Sequence, residues 1–140
     1  MNAPLYTTEI LRLAASLSEP HPLEREDGRA EMRSSTCGSR MTTVVQLDDE
    51  ARVVAMSQQV HACAFGQAAA AIVERGAVGR SRADVTEAHD HFLAWLDGAA
   101  DDAGTWPGLA ALAPARTRKG RHGAMLLPFR SLLAAMGAAR

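Results

Sequence analysis

Cysteine and aromatic residues are scarce in this 140-residue chain, and neither sign of charge dominates. Two cysteines cannot build the disulfide framework of a small secreted domain, so they read as thiols or metal ligands. Aromatics make up only 4%, which leaves the core to Ala, Leu, Val and Met. A net charge of −1 gives no electrostatic footprint for nucleic acid or an anionic membrane. No apolar run reaches the roughly 18 residues of a membrane span. Glu9 and Arg12 interrupt the N-terminal apolar residues, unlike a signal peptide. Gly-rich phosphate loops, His-Glu-x-x-His and nucleophile elbows are all missing. The expectation is one cytoplasmic domain over residues 1–140, long enough for a real core.

What is there is patterned. Leu5, Ile10, Leu13, Ala14 and Leu17 recur at near-helical spacing, predicting a helix over about 4–18, ended by Glu19-Pro20-His21-Pro22. Three short runs rich in Val, Thr and Met follow, at Glu31–Thr36, Met41–Leu47 and Arg52–Val60. Cys37-Gly38-Ser39-Arg40 and Asp48-Asp49-Glu50 separate them at hairpin length, predicting a three-stranded meander. The alanine-rich stretch 64–75 reads as a helix stopped by Gly76. Ser81 with Asp84 signals the start of another, with Val85, Ala88, Phe92, Trp95 and Leu96 as its apolar stripe. Residues 106–113 predict a short helix stopped by Pro114, residues 116–121 a basic loop, and 124–136 a last helix. Pro128 would be tolerated there only in the first turn or as a kink.

This order has a geometric consequence. The second strand leaves the Cys37 tip and the third runs back toward it, so Cys37 and Cys63 meet at one end of the sheet. Thiolate with imidazole is the ligand chemistry of zinc and iron, and His122 falls in a late loop that can reach the same end. Gly38 supplies backbone freedom beside Cys37. Cys63 sits at a predicted helix N-terminus, where unpaired N–H groups favour a thiolate. The alternative is that both cysteines are small buried hydrophobes.

Ser35-Thr36-Cys37-Gly38, the stretch His61-Ala62-Cys63-Ala64-Phe65-Gly66-Gln67-Ala68, Pro114-Ala115-Arg116, and Arg121-His122-Gly123-Ala124-Met125-Leu126 carry a resemblance. In that order they resemble the U-type iron–sulfur cluster assembly scaffolds (the IscU, SufU and NifU N-terminal family) from about Leu5 to Ala135. The resemblance implies an α+β fold, a three-stranded antiparallel sheet packed on one face by helices. It implies a non-enzymatic scaffold that transiently holds iron or an iron–sulfur cluster, or a zinc ion, through Cys37, Cys63 and His122. Its implied partners are a cysteine desulfurase and apo iron–sulfur acceptor proteins, with no nucleic acid and no membrane. The chain departs from the family pattern twice: Ser39 stands where the aspartate after Cys-Gly is usual, and Gly123 where the third cysteine is usual. Two other readings stay open: a zinc-bound or metal-free module regulating a desulfurase, and a cysteine-based transferase using Cys63.

Other residues invite weaker readings. His89 and His91, two apart on a helix, point to different sides, while Glu87 and His91 share one. His61 is either a secondary ligand or an ordinary edge histidine. The basic loop is either solvated or a docking site for an acidic surface. Tyr6 stands near the end at which the family meets its desulfurase.

Overall fold

In the computed structural model, which describes residues 6–35 and 38–138, a three-stranded antiparallel sheet in the order β1-β2-β3 is packed on one face by helices. The strands are β1 (Gly28–Arg33), β2 (Arg40–Leu47) and β3 (Val53–His61). The expected meander is present, with β1 displaced three residues toward the N-terminus. Pairing from Gly28↔Val45 to Arg33↔Arg40 sets that register, and Ser34 N–H donates to the Ser39 carbonyl at 2.7 Å to close the hairpin. Ser34 and Ser35 therefore belong to the tip, where polar residues are at home. Gly38 has φ +71°, the left-handed conformation that favours glycine.

The sheet's two faces differ. Met41, Val45, Leu47, Val53 and Met56 are buried under the helices. Thr43 joins them, its hydroxyl bonded to that of Ser131 at 2.7 Å, and Gln58 Nε2 donates to the Ala70 carbonyl at 3.0 Å. The opposite face is polar, with His21 N–H donating to the Ser57 hydroxyl.

Among the described residues there are four α-helices. Helix α1 (Thr8–Ala15) starts at the Thr7 cap, whose side chain accepts from Ile10 N–H at 3.1 Å, and ends three residues before the expected stop, with Ser16 as its C-cap. Helix α2 (Ala64–Gly76) runs one residue past the expected stop, with Ala77 as its C-cap. Gly76 is needed for another reason: a Cβ there would sit 2.6 Å from the Trp106 indole nitrogen, which itself donates to the Ile72 carbonyl. Helix α3 (Arg82–Leu96) begins at the expected capping box, with Ser81 and Asp84 each satisfying the other's main-chain N–H. Its Val85, Phe92, Trp95 and Leu96 are buried.

Two C-terminal expectations are corrected. A 3-10 helix spans Leu109–Ala115 and includes Pro114, with Leu109, Leu112 and Ala115 buried at its three-residue period. Helix α4 (Lys119–Gly137) starts five residues earlier than expected, absorbing half of the basic loop, and holds Pro128 in its interior. Burial on nearly every side explains why: α4 is the central helix, its Phe129 ring meeting Trp106 edge-on at 5.2 Å and Phe92 at 5.8 Å.

Candidate functional site

Three chain segments converge at the open end of the sheet. The first is the β1–β2 tip; the second is the stretch from the end of β3 into α2, since His61 pairs with Arg40 at the strand end. The meander geometry expected from the sequence thus holds for the residues around the tip, while Thr36 and Cys37 themselves lie outside the described residues. The third segment is the start of α4.

Cys63 occupies the N-cap of α2, in extended conformation, with its carbonyl accepting from Gln67 N–H at 2.9 Å. Its side chain makes no capping bond, is half-buried and packs against the core. Gln67 Nε2 donates to the Ala62 carbonyl at 3.0 Å, which fixes the turn before Cys63. Tyr6 lies with its ring centroid 5.0 Å from that of Phe65, two residues after Cys63.

His122 is only 8% exposed. It lies in the first turn of α4 rather than in a preceding loop. Its Nε2 donates to the Arg116 carbonyl at 2.9 Å and the Ala115 carbonyl at 3.2 Å. Both acceptors are carbonyls, so Nε2 carries a proton, and the neutral imidazole then has its lone pair on Nδ1, the arrangement typical of a metal-ligating histidine. Arg116 itself is not available for docking: its Nε donates to the Trp95 carbonyl and its guanidinium lies 4.7 Å over the Trp95 ring.

Helices α2 and α4 meet close to both residues. A Cβ on Gly66 would lie 3.3 Å from Ala124, and 2.6 Å from the Cβ of Ala62. His122, Gly123, Ser34 and Ser35 line one cavity between the tip and α4. Ser39 is buried, and its carbonyl accepts from Ser34 N–H. Among the described residues, no group of three His, Cys, Asp or Glu side chains is placed to hold a metal ion.

The remaining histidines are elsewhere. His61 is exposed on the helix-free face with Glu31, Arg40 and Gln59, away from the core against which Cys63 packs. His89 bonds Asp90 and accepts from Arg130, whereas His91 bonds Asp102 at 2.9 Å, so the two do diverge. Sequence reasoning singled out Lys119 within the basic loop but missed the main-chain cradle of His122 and the approach of Arg33 and Arg130 to its cavity; only the Pro-Ala-Arg stretch hinted at the cradle. No described helix is long and apolar enough to cross a membrane.

No family model and no curated protein sequence matches the chain. Solved structures do. A nitrogen-fixing NifU-like protein (N-terminal) from Brucella abortus matches with a TM-score of 0.80 and 27% identity, over 96% of this chain and 93% of that one. A protein from Fervidobacterium islandicum AW-1, assigned as an iron–sulfur cluster assembly scaffold for the SUF system, matches with a TM-score of 0.82 and 20% identity, over 94% and 96%. The chain thus shares its α+β fold with these NifU-like and SUF-system structures over nearly the whole length of both.

Proposed function

We propose that this protein is an iron–sulfur cluster assembly scaffold. Iron and sulfide, delivered with a cysteine desulfurase, are held at the open sheet end by Cys37, Cys63 and His122 and handed on to apo acceptor proteins. The thiolates bind iron, and His122 Nδ1 serves as the third protein donor. With Ser39 and Gly123 at two positions where the family usually has ligands, three protein donors remain. The fourth coordination position falls to cluster sulfide, water or a partner residue, and incomplete ligation favours release. The protein's part in this is holding and transfer rather than catalysis.

The observation that supports this reading best is the orientation of His122. A buried imidazole with its Nε2 proton committed to two carbonyls lines a cavity with Ser34 and Ser35 of the hairpin tip that leads to Cys37, and its helix meets α2 at Ala124 and Gly66, three residues after Cys63. Zinc suits the same donors, and a zinc-loaded chain without cluster would act as an interaction module on the desulfurase instead.

The test is anaerobic reconstitution with iron, cysteine and a cysteine desulfurase, followed by iron, zinc and acid-labile sulfide assays on wild type and Cys63→Ala. Iron and sulfide in similar amounts, lost in the variant, support the scaffold. Zinc alone, or neither metal, overturns it.

A further inference from the structure

The end of the molecule that carries the candidate site bears positive charge that the fold does not need. Arg33 and Arg40 are directly opposed across β1 and β2, a like-charge pair that costs stability. Helix α4 opens on Arg118, Lys119 and Arg121, with no acidic residue in its first turn and no side-chain cap, against its own dipole. Among the described residues, no ion pair relieves Arg40, Arg118, Lys119 or Arg121. Arg33 has only Glu31, at 3.7 Å with both side chains largely exposed, a pairing of little worth. In a chain of net charge −1, this is a local concentration rather than a general property.

A cavity of about 340 Å³ opens amid these charges, beside His122. Arg33, Lys119 and Arg130 ring it, Met32, Leu126 and Leu127 give it an apolar floor, and no carboxylate lines it. Arg130 is steadied there by its Nε bond to His89 Nε2 at 3.1 Å.

We propose that this cavity is the docking site for an acidic segment of a protein partner, in which carboxylates flank an apolar side chain. The carboxylates meet the ring of cations, and the apolar side chain covers Met32, Leu126 and Leu127. Three cations round a cavity of this size, with Arg118 and Arg121 beside Lys119 at the start of α4, exceed what one small anion can satisfy. An apolar floor likewise has no use for phosphate. Docking here brings the partner to the mouth of the His122 site, so the purpose of the contact rests on the scaffold reading, while the contact itself does not.

The test uses metal-free protein and a fluorescein-labelled peptide, Glu-Asp-Leu-Glu-Glu-Leu, with its Gln/Asn counterpart as a neutral control, read by anisotropy at fixed ionic strength. The triple variant Arg33→Gln, Lys119→Gln, Arg130→Gln is compared with Arg12→Gln, Arg29→Gln, Arg82→Gln, which removes equal charge from exposed positions elsewhere. Thermal melts verify that both are folded. The expected result is a loss of about tenfold or more in affinity for the cavity variant and under about twofold for the control variant. The proposal is overturned if wild type does not bind, if the neutral peptide binds equally, or if both variants weaken alike. Displacement by inorganic phosphate at equal ionic strength, or tighter binding of a hexanucleotide through the same residues, also overturns it. Because the assay contains no iron, a failed reconstitution would leave its outcome standing.

Discussion

His122 Nε2 donates to the main-chain carbonyl of Arg116 at 2.9 Å. Through this contact the Pro-Ala-Arg stretch acts on the site with its backbone, while the Arg116 guanidinium is turned to Trp95. The 3-10 helix that ends at Ala115 thus sets which imidazole nitrogen is offered, and its position follows from Leu109 and Leu112 buried in the core.

That division of labour separates two substitutions. His122→Gln is expected to lose at least half of the iron and sulfide taken up on reconstitution, with a stability loss of about 1–3 kcal/mol from the broken buried bonds. Arg116→Gln is expected to keep its loading, because the carbonyl remains, and to lose about 1 kcal/mol from the Trp95 contacts. Parallel metal assays and thermal melts check this; equal loss of iron in both would contradict the backbone role.

Gly66 controls how closely α2 approaches α4. In Gly66→Ala the new methyl would need room now filled by Ala62, at 2.6 Å, and Ala124, at 3.3 Å. The expected cost is about 1–3 kcal/mol, read as a lower Tm. Because the displaced turn is the one after Cys63, iron uptake should fall further than the change in folded fraction explains.

A buried polar trio lies under the sheet. Gln58 is 2% exposed and its Oε1 has no hydrogen-bond partner among the described residues, whereas Thr43 and Ser131 satisfy each other. Gln58→Leu is therefore expected to be neutral or stabilising by up to about 1 kcal/mol, and Thr43→Val to cost about 1–3 kcal/mol by stranding Ser131. Chemical denaturation of the two variants measures the difference in sign.

Acid sensitivity should come from two carboxylates. Asp84 is held below the ordinary carboxylate range first by the Ser81 main-chain N–H, and Asp27 first by its bond with the Arg25 guanidinium, then by Leu47 N–H. A lowered folded value stabilises the fold at pH above the ordinary range and is lost as pH falls through that folded value. Tm should hold from neutral pH down to about 5 and decline below about 4, with a shallower decline in Asp84→Asn. Ser81→Ala removes the hydroxyl half of the capping box and should cost about 1 kcal/mol at neutral pH.

Much of the fold was legible locally. The alanine run of α2, the Ser81–Asp84 box and the hairpin linkers are short-range signals, set by propensity, capping and turn length. Together they sufficed to bring the Gly38 tip and the Cys63 turn to one end of the sheet. The cysteine and histidine types suggested metal chemistry before any geometry was known.

What local signals did not carry was decided by packing partners far away in the chain. The register of β1 depends on Val45 and Arg40 across the hairpin, so its apolar pattern alone placed it three residues late. Burial of α4 against α2, α3 and the sheet extended it over a basic, Pro-containing stretch whose own propensities argue against a helix. His61 turned out to the helix-free face and Cys63 in to the core because the chain leaves the sheet between them. The sequence by itself determined which thiols and imidazoles the chain holds and roughly which elements carry them. Tertiary structure alone decided which nitrogen of His122 is offered and which cations surround it, because those depend on contacts between residues that no local pattern connects.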